Sequence, residues 1–260
     1  AVMIRSTSRI TKRIIDTSTH LKIIGRAVVG VDNIDVEAAT EKGIVVVNSP
    51  CGNTIAAAEH TIAMMLSMAR HIPEASKRLH EGHWDKKNLT GVEIFGKTLG
   101  VIGLGKIGSH VAKVAKAMGM NIIVYDPFAR EEIVKELDAK LVKDLKDFWH
   151  EPDFITIHVP KTKETVDLIN KDTIAQMKKG VRIVNCARGG VVNEKDLREA
   201  LDNDYVAGAA LDVFCDEKDI TTSPLYGCEK NLVMTPHLGA TTYEAQIRVA
   251  EDVATQIKIV

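Results

Sequence analysis

The chain predicts an α/β fold: a doubly wound parallel sheet of Rossmann-like type, with room for a second domain. Three observations predict it. Short aliphatic clusters alternate with helical patterns along most of the chain, the pattern of parallel strands buried on both faces by crossover helices. A glycine-rich turn sits where one such strand runs into the next helix. The 260 residues, 45% hydrophobic and 27% charged, are enough for two moderate domains.

In chain order, residues 2–4 read as a strand and residues 10–15 as a helix, with no earlier strand for them to follow, so further residues are expected upstream. Residues 21–24, 44–47, 98–102, 121–125, 154–159 and 182–185 are the next strands, and 209–214 and 231–234 two more. Residues 56–70 form an unusually apolar helix without a clear polar face. Such a helix is buried in its own fold or against another subunit, and its methionines favour the interface.

Formal net charge is −1, from 34 basic and 35 acidic side chains. No global field draws the chain to nucleic acid or anionic lipid, so any anion site must be local. The four cysteines, Cys51, Cys186, Cys215 and Cys228, form no CxxC pair. Reduced thiols in a cytoplasmic protein are expected, with no disulfide or zinc framework and no metal. Neither a secretory signal nor a membrane-length apolar run is visible.

The sharpest local signal is Gly103-Leu-Gly105-Lys-Ile-Gly108, between the strand at 98–102 and a helix pattern at 109–118. Gly103 permits the tight turn, Gly105 lets backbone approach a pyrophosphate, and Gly108 lets helix pack on strand. Asp126 closes the next strand, where a carboxylate accepts the adenosine ribose hydroxyls. That charge repels a 2′-phosphate and so favours NAD, with Arg130 nearby leaving NADP as the alternative.

Hydride exchange with a nicotinamide needs a cation for the substrate carboxylate, a group to exchange the hydroxyl proton, and a partner to tune that group. Arg188, in Asn-Cys-Ala-Arg-Gly-Gly after the strand at 182–185, suits bidentate carboxylate binding. His237, in Thr-Pro-His-Leu-Gly-Ala after the strand at 231–234, has the titration range for proton exchange. Asp212, Asp216 and Glu217 are competing carboxylate partners, and the residues alone do not choose among them.

Together these motifs resemble the D-isomer-specific 2-hydroxy-acid dehydrogenases. The resemblance runs through Gly25-Arg-Ala, Gly30-Val-Asp-Asn-Ile-Asp, Gly52-Asn-Thr, Ala-Ala-Glu-His-Thr, Gly96-Lys-Thr-Leu-Gly, the glycine turn, Cys-Ala-Arg-Gly-Gly, Ala-Leu-Asp-Val-Phe and Pro-His-Leu-Gly-Ala. It implies a catalytic set of Arg188, Glu217 and His237, and so selects Glu217 as the partner of His237. It implies cofactor contacts at Gly103, Gly105, Lys106, Ile107, Gly108, Asp126, Val159, Cys186, Ala187, Arg188, Asp212, His237, Gly239 and Ala240, and substrate contacts at Arg5, Val29, Gly30 and Arg188. Lys218 stands where the family usually has proline, and Val28 and Val29 where it often has glycine.

Within the family the pattern is nearest the branch that oxidises D-3-phosphoglycerate to 3-phosphohydroxypyruvate with NAD in serine synthesis. Alternatives are a hydroxypyruvate, glyoxylate or D-lactate reductase, and, in a different class, an NAD-sensing corepressor-like protein. The resemblance also implies a small phosphorylated 2-hydroxy or 2-oxo acid as substrate, a homodimer or higher homo-oligomer, an incomplete second α/β substrate domain at 1–48 and 237–260, and a Rossmann-like NAD-binding domain at 49–236.

Overall fold

A computed structural model describes residues 1–5 and 8–259. The chain divides into two compact units, Ala1–Ala57 with Ala240–Val260, and Ala58–Gly239. In the first, the strands β1 (Val2–Ile4), β2 (Ile23–Arg26) and β3 (Val45–Asn48) form a parallel sheet in the order β1-β2-β3. Helices α1 (Lys12–Thr17) and α2 (Val36–Glu41) bring Ile15, Ala38 and Ala39 against Ile4, Ile24 and Ile44. Asp35 caps α2 by accepting from Ala38 N at 3.0 Å, satisfying a donor that the helix itself leaves open.

The chain continues through α3 (Thr54–Ala69), α4 (Ile72–His80), β4 (Thr98–Ile102), α5 (Lys106–Ala117), β5 (Asn121–Tyr125), α6 (Glu131–Glu136), β6 (Lys140–Val142), β7 (Phe154–Ile157), α7 (Lys171–Ile174), β8 (Val181–Asn185), α8 (Glu194–Asp202), β9 (Val206–Leu211) and β10 (Leu232–Met234). The final helix, α9 (Tyr243–Ile259), returns to the first unit and packs Val249 and Val253 on Ala27. There Gln256 donates to Asn48 O at 2.8 Å and Ser49 donates to Asp252 at 2.6 Å.

Seven strands form the sheet of the larger unit, in the order β10-β9-β8-β7-β4-β5-β6 with every pairing parallel. Period-two alternation divides their side chains between two cores. Leu99, Val101, Ile122, Val124, Phe154 and Val184 face α3, α5 and α6. Ile102, Ile123, Ile155, Ile157 and Ile183 face Phe148, Ile174 and Leu197 on the other side. Both faces are therefore covered, which explains why these strands are continuously apolar. The order reverses between β4 and β7, and the crevice at the carboxyl ends of these two strands is the topological switch point where such sheets bind ligands.

Three local expectations need correction. The strand expected at 209–214 is β9, which begins at Val206 and ends at Leu211; Asp212 N still donates to Asn185 O at 3.0 Å, while its side chain accepts from Leu238 N and Gly239 N. The short edge strand β6 was not anticipated. The methionines of α3 have an intramolecular role: Met64, Met65 and Met68 are buried in the core of the larger unit with Ala58 and Ile62. The two compact units divide inside α3 and again after Gly239.

Candidate active site

Strand β4 ends in a turn that only glycine can make. Gly103 has φ of +92°, and a methyl group there would lie 2.7 Å from His158 O; at Gly108 it would lie 2.0 Å from Gly103 O. These two positions lock the start of α5 against the ends of β4 and β7. At Gly105, by contrast, a methyl group meets nothing within 4 Å. Gly105 is the N-cap of α5 and supplies no side-chain cap, so the positive end of the helix at Lys106 and Ile107 faces the place where an anionic ligand would approach.

Asp126, just after β5, accepts from Leu104 N at 2.7 Å through one oxygen and from Phe128 N at 2.8 Å through the other. These bonds fix the carboxylate beside the glycine turn, and each oxygen retains a further lone pair for a ribose hydroxyl. Val159, after β7, lies against Gly103, with Cγ1 2.9 Å from a methyl group placed there. Open space over Gly105, the positive end of α5 and an acceptor at the next strand end together suit a dinucleotide with an unphosphorylated ribose.

After β8 the chain turns through Cys186, Ala187 and Arg188. The buried Asn185 side chain shapes this turn by donating to Arg188 O and accepting from Ala187 N, both at 3.0 Å. Arg188 Nη1 donates to Ala187 O at 2.7 Å, folding the guanidinium back over its own turn. Burial pushes the Cys186 thiol up to about 12, helped by the charge of Asp212, so it stays protonated. A methyl group at Gly189 would lie 1.8 Å from Phe214 O, so the turn rests directly on the backbone that leaves β9.

Of the three candidate carboxylates, Glu217 meets the histidine: its Oε2 is 2.9 Å from His237 Nδ1. This contact raises the His237 pKa above its ordinary value; burial opposes the rise, as does the positive charge of Arg188. Both side chains of the pair are roughly half-exposed. Asp216 accepts locally from Lys218 N at 2.9 Å. Asp212 is fully buried and holds the histidine loop, accepting from Thr235 Oγ1 at 2.5 Å and from Leu238 N and Gly239 N at 2.8 Å each.

The loop carries His237 at φ of +55°, in the left-handed region that few side-chain-bearing residues enter, histidine among them. His60, on α3, adds a contact to Asp212 Oδ1 at 3.1 Å and one to Thr235 Oγ1 at the same distance. Burial alone raises the Asp212 pKa, but hydrogen bonds from His60, Thr235 and Leu238 more than offset it, leaving a net depression and an ionised carboxylate. His60 and Thr235 were not singled out from sequence; the only hint was a histidine inside an otherwise apolar helix. His158, partly buried and lowered to about 4 by that desolvation, is neutral beside Thr156 at 2.9 Å and was likewise missed.

The residues expected at the substrate lie partly in the smaller unit. Arg5 is exposed just after β1, and its carbonyl accepts from Asn33 Nδ2 at 3.0 Å. Val29 and Gly30 are half-buried in the loop after β2, with Val29 O held by the Asn48 side chain. Ala240, expected at the cofactor, is the first residue of the returning segment and is half-buried.

This geometry has relatives. Residues 62–239 match the family described as D-isomer specific 2-hydroxyacid dehydrogenase, NAD binding domain. The D-3-phosphoglycerate dehydrogenase of Synechocystis sp. is 56% identical over 258 residues, covering 99% of this chain and 46% of that protein. The D-3-phosphoglycerate dehydrogenase of Methanocaldococcus jannaschii is 51% identical over 257 residues, covering 99% and 49%. The chain thus spans about half the length of these curated relatives. Among solved structures, a D-lactate dehydrogenase from Aquifex aeolicus, complexed with NAD and lactic acid, superposes with a TM-score of 0.87 at 33% identity, covering 98% of this chain and 81% of that one. The chain belongs to the D-isomer specific 2-hydroxyacid dehydrogenases and contains their NAD-binding domain.

Proposed function

We propose that the protein oxidises D-3-phosphoglycerate to 3-phosphohydroxypyruvate with NAD, in serine synthesis. The observation that carries this reading is the 2.9 Å contact between Glu217 and His237 Nδ1, close enough to Arg188 for the guanidinium to lower the histidine pKa. Bound NAD supplies the hydride acceptor. Arg188 grips the substrate carboxylate and polarises the C2 oxygen. His237 Nε2 takes the hydroxyl proton, and in the reverse direction returns it. Glu217 fixes the ring so that Nδ1 keeps its proton and Nε2 is the exchanging atom. Asp212 holds the loop of His237 and is the proposed acceptor for the carboxamide at the edge of the site.

The choice of acid is supported by the 56% identical relative, itself named for D-3-phosphoglycerate, and by Arg5, which we assign to the substrate's phosphate. Val29 and Gly30 are assigned to its carboxylate. The Ala58–Gly239 unit is the proposed cofactor-binding part and the other unit the proposed substrate-binding part. A homodimer is proposed from the larger unit, where Ile72, Leu79 and Trp84 are exposed, Trp84 at 85%. A cytoplasmic location is proposed from the free thiols, two of them on exposed cysteines, Cys51 and Cys215. Among the described residues no helix is long and apolar enough to cross a membrane.

The test is His237→Ala. Turnover falls by about 100-fold or more, the scale of general acid–base catalysis, while NADH binding is retained. Undiminished turnover removes His237 from the mechanism.

A further inference from the structure

We propose that Glu194 is a positioning residue that sets the Glu217–His237 pair by clasping both ends of the segment on which Glu217 lies. The inference rests on the proposed function only in taking that pair as catalytic. Glu194 opens α8 and is 7% exposed. Its Oε1 accepts from Cys215 N at 2.6 Å, and its Oε2 accepts from the Ser223 hydroxyl. Glu217 sits between those two attachment points.

Apart from Ile220, which packs against the core that also holds Phe214 and Leu225, little else fixes the segment there. Residues 215–219 are all exposed. The bonds within the segment, Lys218 N to Asp216 at 2.9 Å and Thr221 N to Asp219 at 3.0 Å, shape local turns without tying them to the sheet. A cavity of about 250 Å³, lined in part by Glu194, Cys215, Thr222 and Ser223, lies beside the attachment, so close apolar packing does not substitute for the hydrogen bonds at this place.

A carboxylate is suited to the task. It stands in the first turn of α8, where the unpaired helix amides favour negative charge, and as an acceptor-only group it serves two donors at once. Its charge is felt next door: the Cys215 thiol, exposed but partly desolvated by its neighbours, is pushed up to about 11, by that desolvation first and then by Glu194. The attachment also reaches the second catalytic group. Cys215 N is held by Glu194, while the preceding carbonyl, Phe214 O, is the atom on which Gly189 rests beside Arg188. One carboxylate therefore sets the spacing between the Arg188 turn and the Glu217 segment.

The test reads the histidine directly. The charged groups acting on His237 are Glu217, Asp212 and Arg188, and only the first is carried by the clasped segment. Nitrogen-15 NMR titration of His237 in the whole protein is compared among wild type, Glu194→Gln, Ser223→Ala and Glu217→Gln. In Glu194→Gln the His237 midpoint moves down toward that of Glu217→Gln, and kcat falls by up to about 100-fold, the scale of a 1 Å misplacement, with NADH affinity unchanged. Ser223→Ala, which removes one attachment, moves the midpoint the same way by less. A folded Glu194→Gln that titrates like wild type overturns the proposal; if that variant does not fold, a wild-type midpoint in Ser223→Ala overturns it. Lack of turnover by the wild-type protein on every 2-hydroxy acid would refute the proposed function, and the His237 midpoint would still decide the role of Glu194.

Discussion

Gly105→Ala and Gly108→Ala separate binding from folding at one turn. At Gly108 a methyl group would stand 2.0 Å from Gly103 O, against an ordinary contact of 3.4–4 Å, so helix or turn must move by more than an ångström. Overpacking of this kind costs about 1–3 kcal/mol, partly offset by about 1 kcal/mol of helix propensity gained over glycine. If the turn relaxes outward, ligand binding must restore it, and the same strain appears as about a 5- to 150-fold weaker NADH Kd. Gly105 is different: φ of −68° and ψ of −166° suit alanine, and no atom lies within 4 Å. Its substitution leaves stability within about 0.5 kcal/mol yet places a methyl group where the pyrophosphate approaches. NADH fluorescence titration, run beside thermal unfolding, distinguishes the two. A Gly105→Ala protein that binds NADH like wild type would refute the assignment of this turn to the pyrophosphate.

Two further predictions concern the histidine. Because Glu217 raises the His237 pKa, Glu217→Gln makes the imidazolium lose its proton at lower pH. The alkaline limb of the reductive pH–kcat/KM profile and the acidic limb of the oxidative one therefore both move down; limbs that stay in place contradict the pairing. Asp212→Asn replaces a buried carboxylate serving Thr235, Leu238 and Gly239 by an amide with a single acceptor oxygen. Denaturant unfolding should show a loss of about 1–3 kcal/mol for the stranded donors, and an unchanged midpoint would show that the loop is held by other means.

What was legible in sequence was what is local. Strands β4 and β5 were read to the residue because glycine, charge and aliphatic runs bound them sharply. The glycine turn was legible for the same reason, since its demands are those of a few adjacent backbones. The partner of His237 was not: Asp212, Asp216 and Glu217 lie within six positions, and which of them reaches a histidine twenty residues on depends on how β9 and β10 pair. Resemblance selected Glu217, where residue chemistry left three choices. Asp212 misled the strand assignment because its flanks, Ala-Leu and Val-Phe, are as apolar as a buried strand, yet β9 ends at Leu211 and the Asp212 carboxylate serves the 235–239 loop. Glu194 gave no signal, since an acid in the first turn of a helix is commonplace until its two distant donors are seen. Lys218, standing where the family usually has proline, leaves its N–H free to donate to Asp216, a bond proline could not make.

The central claim is tested most directly by kcat/KM for NADH-dependent reduction of 3-phosphohydroxypyruvate, measured beside hydroxypyruvate, glyoxylate and pyruvate on the same protein. The account predicts a clear preference for the phosphorylated acid. Equal or faster turnover of an unphosphorylated acid would contradict the assigned substrate, and NADH binding without turnover of any of the four would contradict the enzyme itself.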